Sequence, residues 1–161
     1  MKRVLTLALV CVCALALGCQ KGPKKPSDLP ALQPTTITVT YDDGSPVDEA
    51  TVVLRLAQPT GGRTWNVVGV TDATGKAVMK TDGNWDGVPA GDYQGMVTKE
   101  VSDIEEPTEV GGSITVKSVT RYVDIKYSDP HDSGLTASVQ SGTNEFKFVV
   151  GQKIEEDVKM L

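Results

Sequence analysis

Apolar and polar residues alternate along the chain in short stretches that are separated by turn-forming residues. In "TITVTY" the side chains of Ile37, Val39 and Tyr41 fall on one face and the threonines on the other. The predicted strands cover Thr36–Tyr41, Ala50–Leu56, Thr64–Thr71, Lys76–Thr81, Gly91–Glu100, Ser133–Val139 and Glu145–Val150. Short strands with Gly- and Asp-rich turns and no strong helical period predict an all-β fold, an antiparallel seven-stranded Greek-key β-sandwich spanning 36–150.

The segment from Val101 to Lys126 does not follow this pattern. "SDIEEPTEVGGS" is acidic and poorly periodic, so the chain is expected to form a loose acidic insertion near 101–118. "ITVKSVTRYVDIKY" fits an extra strand or a strand followed by a loop, and the pattern leaves both open. Residues 151–161 are predicted to be a C-terminal tail.

The first residues indicate export. Lys2 and Arg3 precede an apolar run, Val4–Leu17, that has the length of a signal-peptide core and is short for a membrane span. The run ends in "LALGC", which resembles the lipobox of bacterial lipoproteins. The resemblance implies a signal peptide over 1–18, cleavage between Gly18 and Cys19, and acylation of Cys19, palmitate included. The alternatives are an ordinary secreted protein or a single-span anchor.

This assignment settles the cysteine chemistry of the mature chain. Cys11 and Cys13 leave with the signal peptide, and Cys19 carries lipid, so no thiol remains for catalysis, disulfides or metal. Residues 19–35 are rich in Pro and Lys and are predicted to be a flexible tether. Gln20 stands where an aspartate would resemble an inner-membrane retention signal, which favours the outer membrane, with display on its periplasmic or surface face.

The charge balance limits the possible partners. The full chain has 16 basic and 21 acidic residues, and removing Lys2 and Arg3 with the signal leaves 14 basic residues and a net charge near −7. An acidic domain without a basic cluster is not expected to bind nucleic acid. The expected partners are membrane lipid, through acylated Cys19, and an unidentified envelope protein or glycan.

Four segments together resemble a known family: "GSPVDEATVVL", "GVTDATGKAVMKT", "VPAGDYQGMVTKE" and "YSDPHDSGLTASVQSGTNEFKFVV". They are similar to carboxypeptidase regulatory-like domains, which have a transthyretin-like (prealbumin-like) sandwich, and to small lipoproteins of this type in planctomycete bacteria. The motifs are turn and strand motifs, so the resemblance implies a fold and says little about function. The hydroxyisourate hydrolases of this fold use several histidines and a Tyr-Arg-Gly-Ser motif that this sequence lacks. A non-enzymatic domain without catalytic residues is therefore expected.

The single histidine, His131, lies between Asp129 and Asp132. It is a candidate general base or metal ligand, but residues adjacent in one turn do not generally converge on a substrate. Pro130 favours an extended Asp129, and Asp and Ser side chains readily form turns, so a turn into the last hairpin is the preferred interpretation. No cofactor or metal is expected. Calcium at acidic turns such as "YDDGS" or "DGNWDG" is an open alternative.

Trp65 and Trp85 are the candidate binding residues, because an exposed tryptophan stacks well on a sugar ring or a partner's side chain. Trp85 is the better candidate for exposure, although a ring covering the end of the sandwich is the preferred interpretation. The sequence thus predicts a lipid-anchored binding or scaffolding module. A carbohydrate- or peptide-binding accessory module is the alternative, and a hydrolase-like enzyme is the least favoured hypothesis.

Overall fold

The computed structural model describes residues 23–58, 63–105 and 115–159, which form an all-β structure with one short 3-10 helix, η1, at Ile125–Ser128. The strands are β1 (Leu32–Gln33), β2 (Thr35–Thr40), β3 (Thr51–Leu56), β4 (Val67–Val70), β5 (Lys76–Val78), β6 (Lys80–Thr81), β7 (Trp85–Asp86), β8 (Val88–Pro89), β9 (Gly91–Thr98), β10 (Glu100–Glu105), β11 (Thr115–Arg121), β12 (Leu135–Val139), β13 (Asn144–Val149) and β14 (Glu156–Lys159). Within these ranges no helix is long and apolar enough to cross a membrane. The predicted all-β class is confirmed.

Two sheets pack face to face to form the core. One has the order β12-β9-β3-β4-β6-β7 and the other the order β13-β2-β5. Gly95 of β9 marks the closest approach, since a Cβ added there would lie 2.6 Å from Cε2 of Phe148 in β13. Gly69 of β4 gives the same result, because its added Cβ would lie 2.8 Å from Sδ of Met79. Gly95 therefore leaves room for a large side chain from the opposite sheet, as in a β-sandwich, and Gly69 leaves room for Met79 between β5 and β6.

The predicted strand Lys76–Thr81 is divided between the two sheets. β5 pairs with β2, whereas β6 pairs with β4 of the other sheet. Met79, between them, is fully buried and its backbone N–H donates to the carbonyl of Thr35 at 3.0 Å. A strand at the corner of a sandwich changes sheets by bending at one residue, which simple alternation of apolar residues does not reveal.

One strand pair departs from the predicted antiparallel arrangement. β13 runs parallel to β2, with Phe146 opposite Ile37, while every other named pair in the described residues is antiparallel. The reason is the turn after β12, which carries the chain from one sheet into the other. The side chain of Asn144 fixes this turn by accepting from the N–H of Gln140 at 3.0 Å and donating to its carbonyl at 2.9 Å.

The loose acidic insertion was expected near 101–118, but the described residues of this segment form strands. β10 pairs with β11, and β14 adds to the other edge of β11. The predicted tail at 151–161 therefore contributes a strand, and we call this three-stranded sheet the arm. Backbone pairing of Ser102 with Val119, and of Val119 with Val158, stabilises strands whose sequence is too polar to show a clear apolar period. Residues 106–114 lie outside the described residues.

A flexible tether was expected over 19–35, but its last residues form a strand that pairs with the sandwich. β1 pairs with β8, with Leu32 opposite Pro89 and Gln33 opposite Val88. A Cβ on Gly87 would lie 2.8 Å from the carbonyl oxygen of Gln33, so only glycine lets β1 pass this closely. The signal peptide at 1–18, the cleavage site at Gly18 and Cys19, and lipidation of Cys19 all fall outside the described residues.

Candidate functional site

The sandwich has two ends with different structures. Val139 pairs with Gly91 at one end, which also holds β1, the turn 140–143 and the loop 82–84; we call it the tether end. Thr51 pairs with both Thr98 and Val70 at the other end, which we call the arm end because β10 begins two residues after Thr98. The candidate residues of the sequence are distributed between these two ends.

His131 lies in an exposed turn near the arm end. Its backbone N–H donates to Oδ1 of Asp129 at 2.8 Å, which is the side-chain turn expected from this sequence. Ser133 follows and is buried, and its hydroxyl donates to the carbonyl of Gly95 at 2.7 Å. The stretch thus fastens the beginning of β12 to β9, and the turn interpretation of this segment is confirmed.

Two acidic turns, the "YDDGS" turn weighed as a calcium site and the "TDATGKA" turn, use their carboxylates locally. Oδ1 of Asp43 accepts from the N–H and hydroxyl of Ser45 at 2.8 and 2.6 Å, and the hydroxyl bond lowers the pKa of Asp43. Oδ1 of Asp72 accepts from the N–H and hydroxyl of Thr74 in the same way, with the same effect on the pKa of Asp72. Among the described residues, no group of three His, Cys, Asp or Glu side chains is placed to hold a metal ion.

Trp65 is half-buried at the tether end, in the segment before β4. The guanidinium of Arg63 lies over its ring, 4.2 Å from the ring centre. The same guanidinium is 3.3 Å from Oδ2 of Asp82 and 3.9 Å from Oδ2 of Asp28. Asp82 also accepts from the backbone N–H of Asn66 at 3.1 Å. This Arg63–Trp65 cluster therefore joins three separate segments, one of which is the tether.

A shallow depression of about 280 Å³ opens beside Trp65 on the outer surface of the six-stranded sheet. Its lining is formed by Val53, Leu54, Arg55, Thr64, Trp65, Asn66 and Met96. The volume is slightly below the usual range for small-molecule sites, and the lining combines an aromatic ring, aliphatic groups and a few hydrogen-bonding side chains. Such a surface can hold one sugar ring or one side chain of a peptide.

Trp85 lies in the edge strand β7, where it is half-buried. It pairs with Thr81, which pairs with Val67, which in turn pairs with Leu54. Paired residues project to the same face of a sheet, and Thr81, Val67 and Leu54 are all buried. The register therefore places Trp85 in the inward-facing row of an edge strand. Its inward position makes Trp65 the better-placed of the two rings for a ligand.

Sequence reasoning did not find Arg63 or Asp28, since each is a single charge in a polar stretch with no periodic signal. Comparisons of the chain with protein-family models, with curated proteins and with solved structures find no match. The functional argument therefore depends on the residues and their geometry alone.

Proposed function

We propose that this protein is a non-enzymatic, lipid-anchored β-sandwich of the bacterial cell envelope, held by acylated Cys19 in the outer membrane, and that it works as a binding or scaffolding module. The observation that carries the proposal is the sequence of features at the beginning of the chain. A signal-like apolar run and "LALGC" are followed, within 13 residues of Cys19, by β1, which is paired with the sandwich. The chain thus goes from the acylation site to the folded domain through a short link.

We also propose the finer fold assignment, a Greek-key sandwich similar to the carboxypeptidase regulatory-like domains. It is supported by Tyr93, at the beginning of β9, whose hydroxyl donates to the carbonyl of Pro89 at 2.9 Å. A tyrosine bonded to the backbone a few residues upstream is a recurring corner in Greek-key sandwiches. Gly75, with φ of 77°, supplies the turn of the "TDATGKA" hairpin motif, as that resemblance implies.

A non-enzymatic role is supported by the use of the chemically capable side chains. Asp43, Asp72 and Asp129 accept hydrogen bonds within their own turns, and Ser133 is buried against β9. Groups committed to turn geometry shape the fold and are poorly placed to converge on a substrate. This use of the acidic side chains supports the proposed non-enzymatic role.

The proposal is tested by lipid labelling and cross-linking in the native envelope, with Cys19→Ala as the matched control. We expect the wild-type protein to incorporate labelled palmitate, to fractionate with the outer membrane and to cross-link reproducibly to an envelope protein or glycan. The Cys19→Ala form should lose the label and the membrane association. A wild-type protein that remains unlabelled and leaves the membrane on washing would contradict the anchor.

A carbohydrate- or peptide-binding accessory module is the second candidate, favoured by the depression beside Trp65. Binding of envelope glycan fragments should then change Trp65 fluorescence, and Trp65→Ala should abolish this binding while Trp85→Phe retains it. If both variants bind glycans as the wild type does, the depression is not the site.

A further inference from the structure

The tether is fixed to one end of the sandwich by several independent contacts. β1 pairs with β8, and the side-chain Oε1 of Gln33 accepts from the backbone N–H of Gly142 at 2.8 Å. Further upstream, Asp28 lies 3.9 Å from Arg63, and the N–H of Leu29 donates to the carbonyl of Pro26 at 3.3 Å. The last part of the tether is therefore part of the folded domain, and fewer residues link the domain to Cys19 than the Pro- and Lys-rich composition suggests.

The arm leaves the sandwich from the opposite end. β9 begins at Gly91 at the tether end and reaches Thr98 at the arm end, and only Lys99 separates it from β10. At about 3.3 Å per residue the length of β9 separates the two ends by about 23 Å. A backbone hydrogen bond links the end of β11 to the beginning of β10 where the arm leaves the sandwich, since the N–H of Tyr122 donates to the carbonyl of Lys99 at 2.9 Å.

The number of residues between Cys19 and the folded domain is too small for the domain to invert easily. Asp28 is the ninth residue after Cys19. A flexible chain of that length has a root-mean-square extent of about 17 Å, and at full extension it reaches about 30 Å. Bringing the arm end to the point of anchorage would require the link to stretch along most of the sandwich, at a cost in chain entropy.

The surface at the tether end also suits contact with a lipid headgroup layer. Lys24 and Lys25 are exposed in the tether, and Trp65 is half-buried beside the guanidinium of Arg63. Cationic side chains are attracted to anionic headgroups, and tryptophan is favoured at the interface of a bilayer. This chemistry lies on the side of the domain from which the tether emerges.

We propose that the tether end of the sandwich faces the lipid bilayer and that the arm projects away from it. The inference rests on lipidation of Cys19 in the proposed function and adds an orientation to it. In this orientation the tether end contacts anionic lipid.

Single-cysteine labelling tests the orientation, because the mature chain has no cysteine after Cys19. Ser141→Cys places a fluorophore in the exposed turn at the tether end, and Ala73→Cys places one in an exposed turn at the arm end. Ser102→Cys adds a position on the arm itself. Each full-length acylated protein is reconstituted in vesicles of phosphatidylethanolamine and phosphatidylglycerol that carry a short-range quencher on the lipid headgroups.

We expect the fluorophore at position 141 to lose most of its emission while those at positions 73 and 102 keep theirs. A matched variant with a flexible Gly/Ser insert between Lys25 and Pro26 should recover emission at position 141, since the longer link lets the domain move away. Equal quenching at 141 and 73, or stronger quenching at 73 or 102, would overturn the orientation.

The mass of each protein is measured before reconstitution, so that failure of the anchor is distinguished from failure of the orientation. A protein with the acyl mass on Cys19 that shows no difference between positions contradicts the orientation alone. A protein without acyl chains that does not remain with the vesicles contradicts the lipid anchor itself, and the orientation with it.

Discussion

Gly95→Ala is the substitution that most directly tests the stacking of the two main sheets. Gly95 lies in the centre of β9, and its φ is not in the positive region, so its backbone accepts alanine. In an open strand the change would stabilise the protein by about 0.5–1 kcal/mol, because glycine loses more conformational freedom on folding. The sign of the effect therefore reports on the side chains that face this position.

The steric clash of the added methyl group opposes this gain in stability and is larger than it. The added methyl would lie 2.6 and 2.7 Å from two ring carbons of Phe148 and 3.1 Å from Cβ of Leu135. Carbon atoms pack best at about 3.5–4.0 Å, so the ring must move by about 1 Å. Forcing an extra methyl group into a packed core costs about 1–3 kcal/mol, which leaves a net destabilisation of up to about 2.5 kcal/mol.

Urea unfolding of the soluble mature domain, followed by tryptophan fluorescence, measures the free energy of unfolding for four proteins in a double-mutant cycle. These are the wild type, Gly95→Ala, Phe148→Leu and the double variant. Phe148→Leu removes the ring that the methyl would contact, so the two changes should couple favourably by about 1 kcal/mol or more. If Gly95→Ala stabilises the protein, or if the cycle shows no coupling, Phe148 does not pack on β9 and the stacking is contradicted.

Three further predictions concern buried and charged groups. Burial raises the pKa of Tyr93 to about 12, so the absorbance of its phenolate, obtained by comparison with Tyr93→Phe, should appear well above pH 10. The contribution of Tyr93 to stability should be constant below pH 10 and fall as the pH rises towards 12. Thr71→Val should destabilise the protein by about 1–3 kcal/mol in urea unfolding, because it leaves the buried N–H of Ala50, now 2.7 Å from the threonine hydroxyl, without that acceptor. The hydrogen bond from Thr74 lowers the pKa of Asp72 in the folded protein. The stability that this bond provides is therefore present above the unfolded pKa of the carboxyl group, near 4, and is lost as the pH falls through the lower folded pKa. Asp72→Asn should lose less stability on acidification than the wild type, and an unchanged acid dependence would contradict this role.

The strands with strict alternation were predictable from the sequence to within a few residues. "TITVTY" forms β2 at Thr35–Thr40, and "EFKFVV" forms β13 at Asn144–Val149. One face of each strand is buried against the other sheet, so the pattern of side chains follows directly from the pleat. The parallel pairing of these two strands was not predictable, because alternation specifies which face is buried and does not specify the neighbouring strand.

Other elements depend on contacts that are distant in the sequence. The division of Lys76–Thr81 follows from the position of Met79 at the corner between sheets, and β1 forms because Gly87 lets the chain pass closely. The arm forms because β14 supplies backbone partners to β11 from more than 30 residues further along the chain. None of these causes is visible in a local window of residues.

The candidate site was predictable in part. The turn at His131 followed from the local chemistry of Asp129 and Pro130. The cluster of Arg63 with Trp65 and Asp28 required the folded structure, since it joins charges that lie 35 residues apart in the sequence. The contact between Arg63 and Asp28, and no sequence motif, shows that the tether packs on this end of the sandwich.

The most direct test of the lipid-anchored account is the mass of the N-terminal peptide of the mature protein isolated from its native envelope. The account predicts a chain that begins at Cys19 and carries the added mass of a diacylglyceryl group, with a further acyl chain on the amino terminus. A chain that begins at Met1, or one cleaved elsewhere with an unmodified Cys19, would contradict the anchor and the envelope function built on it.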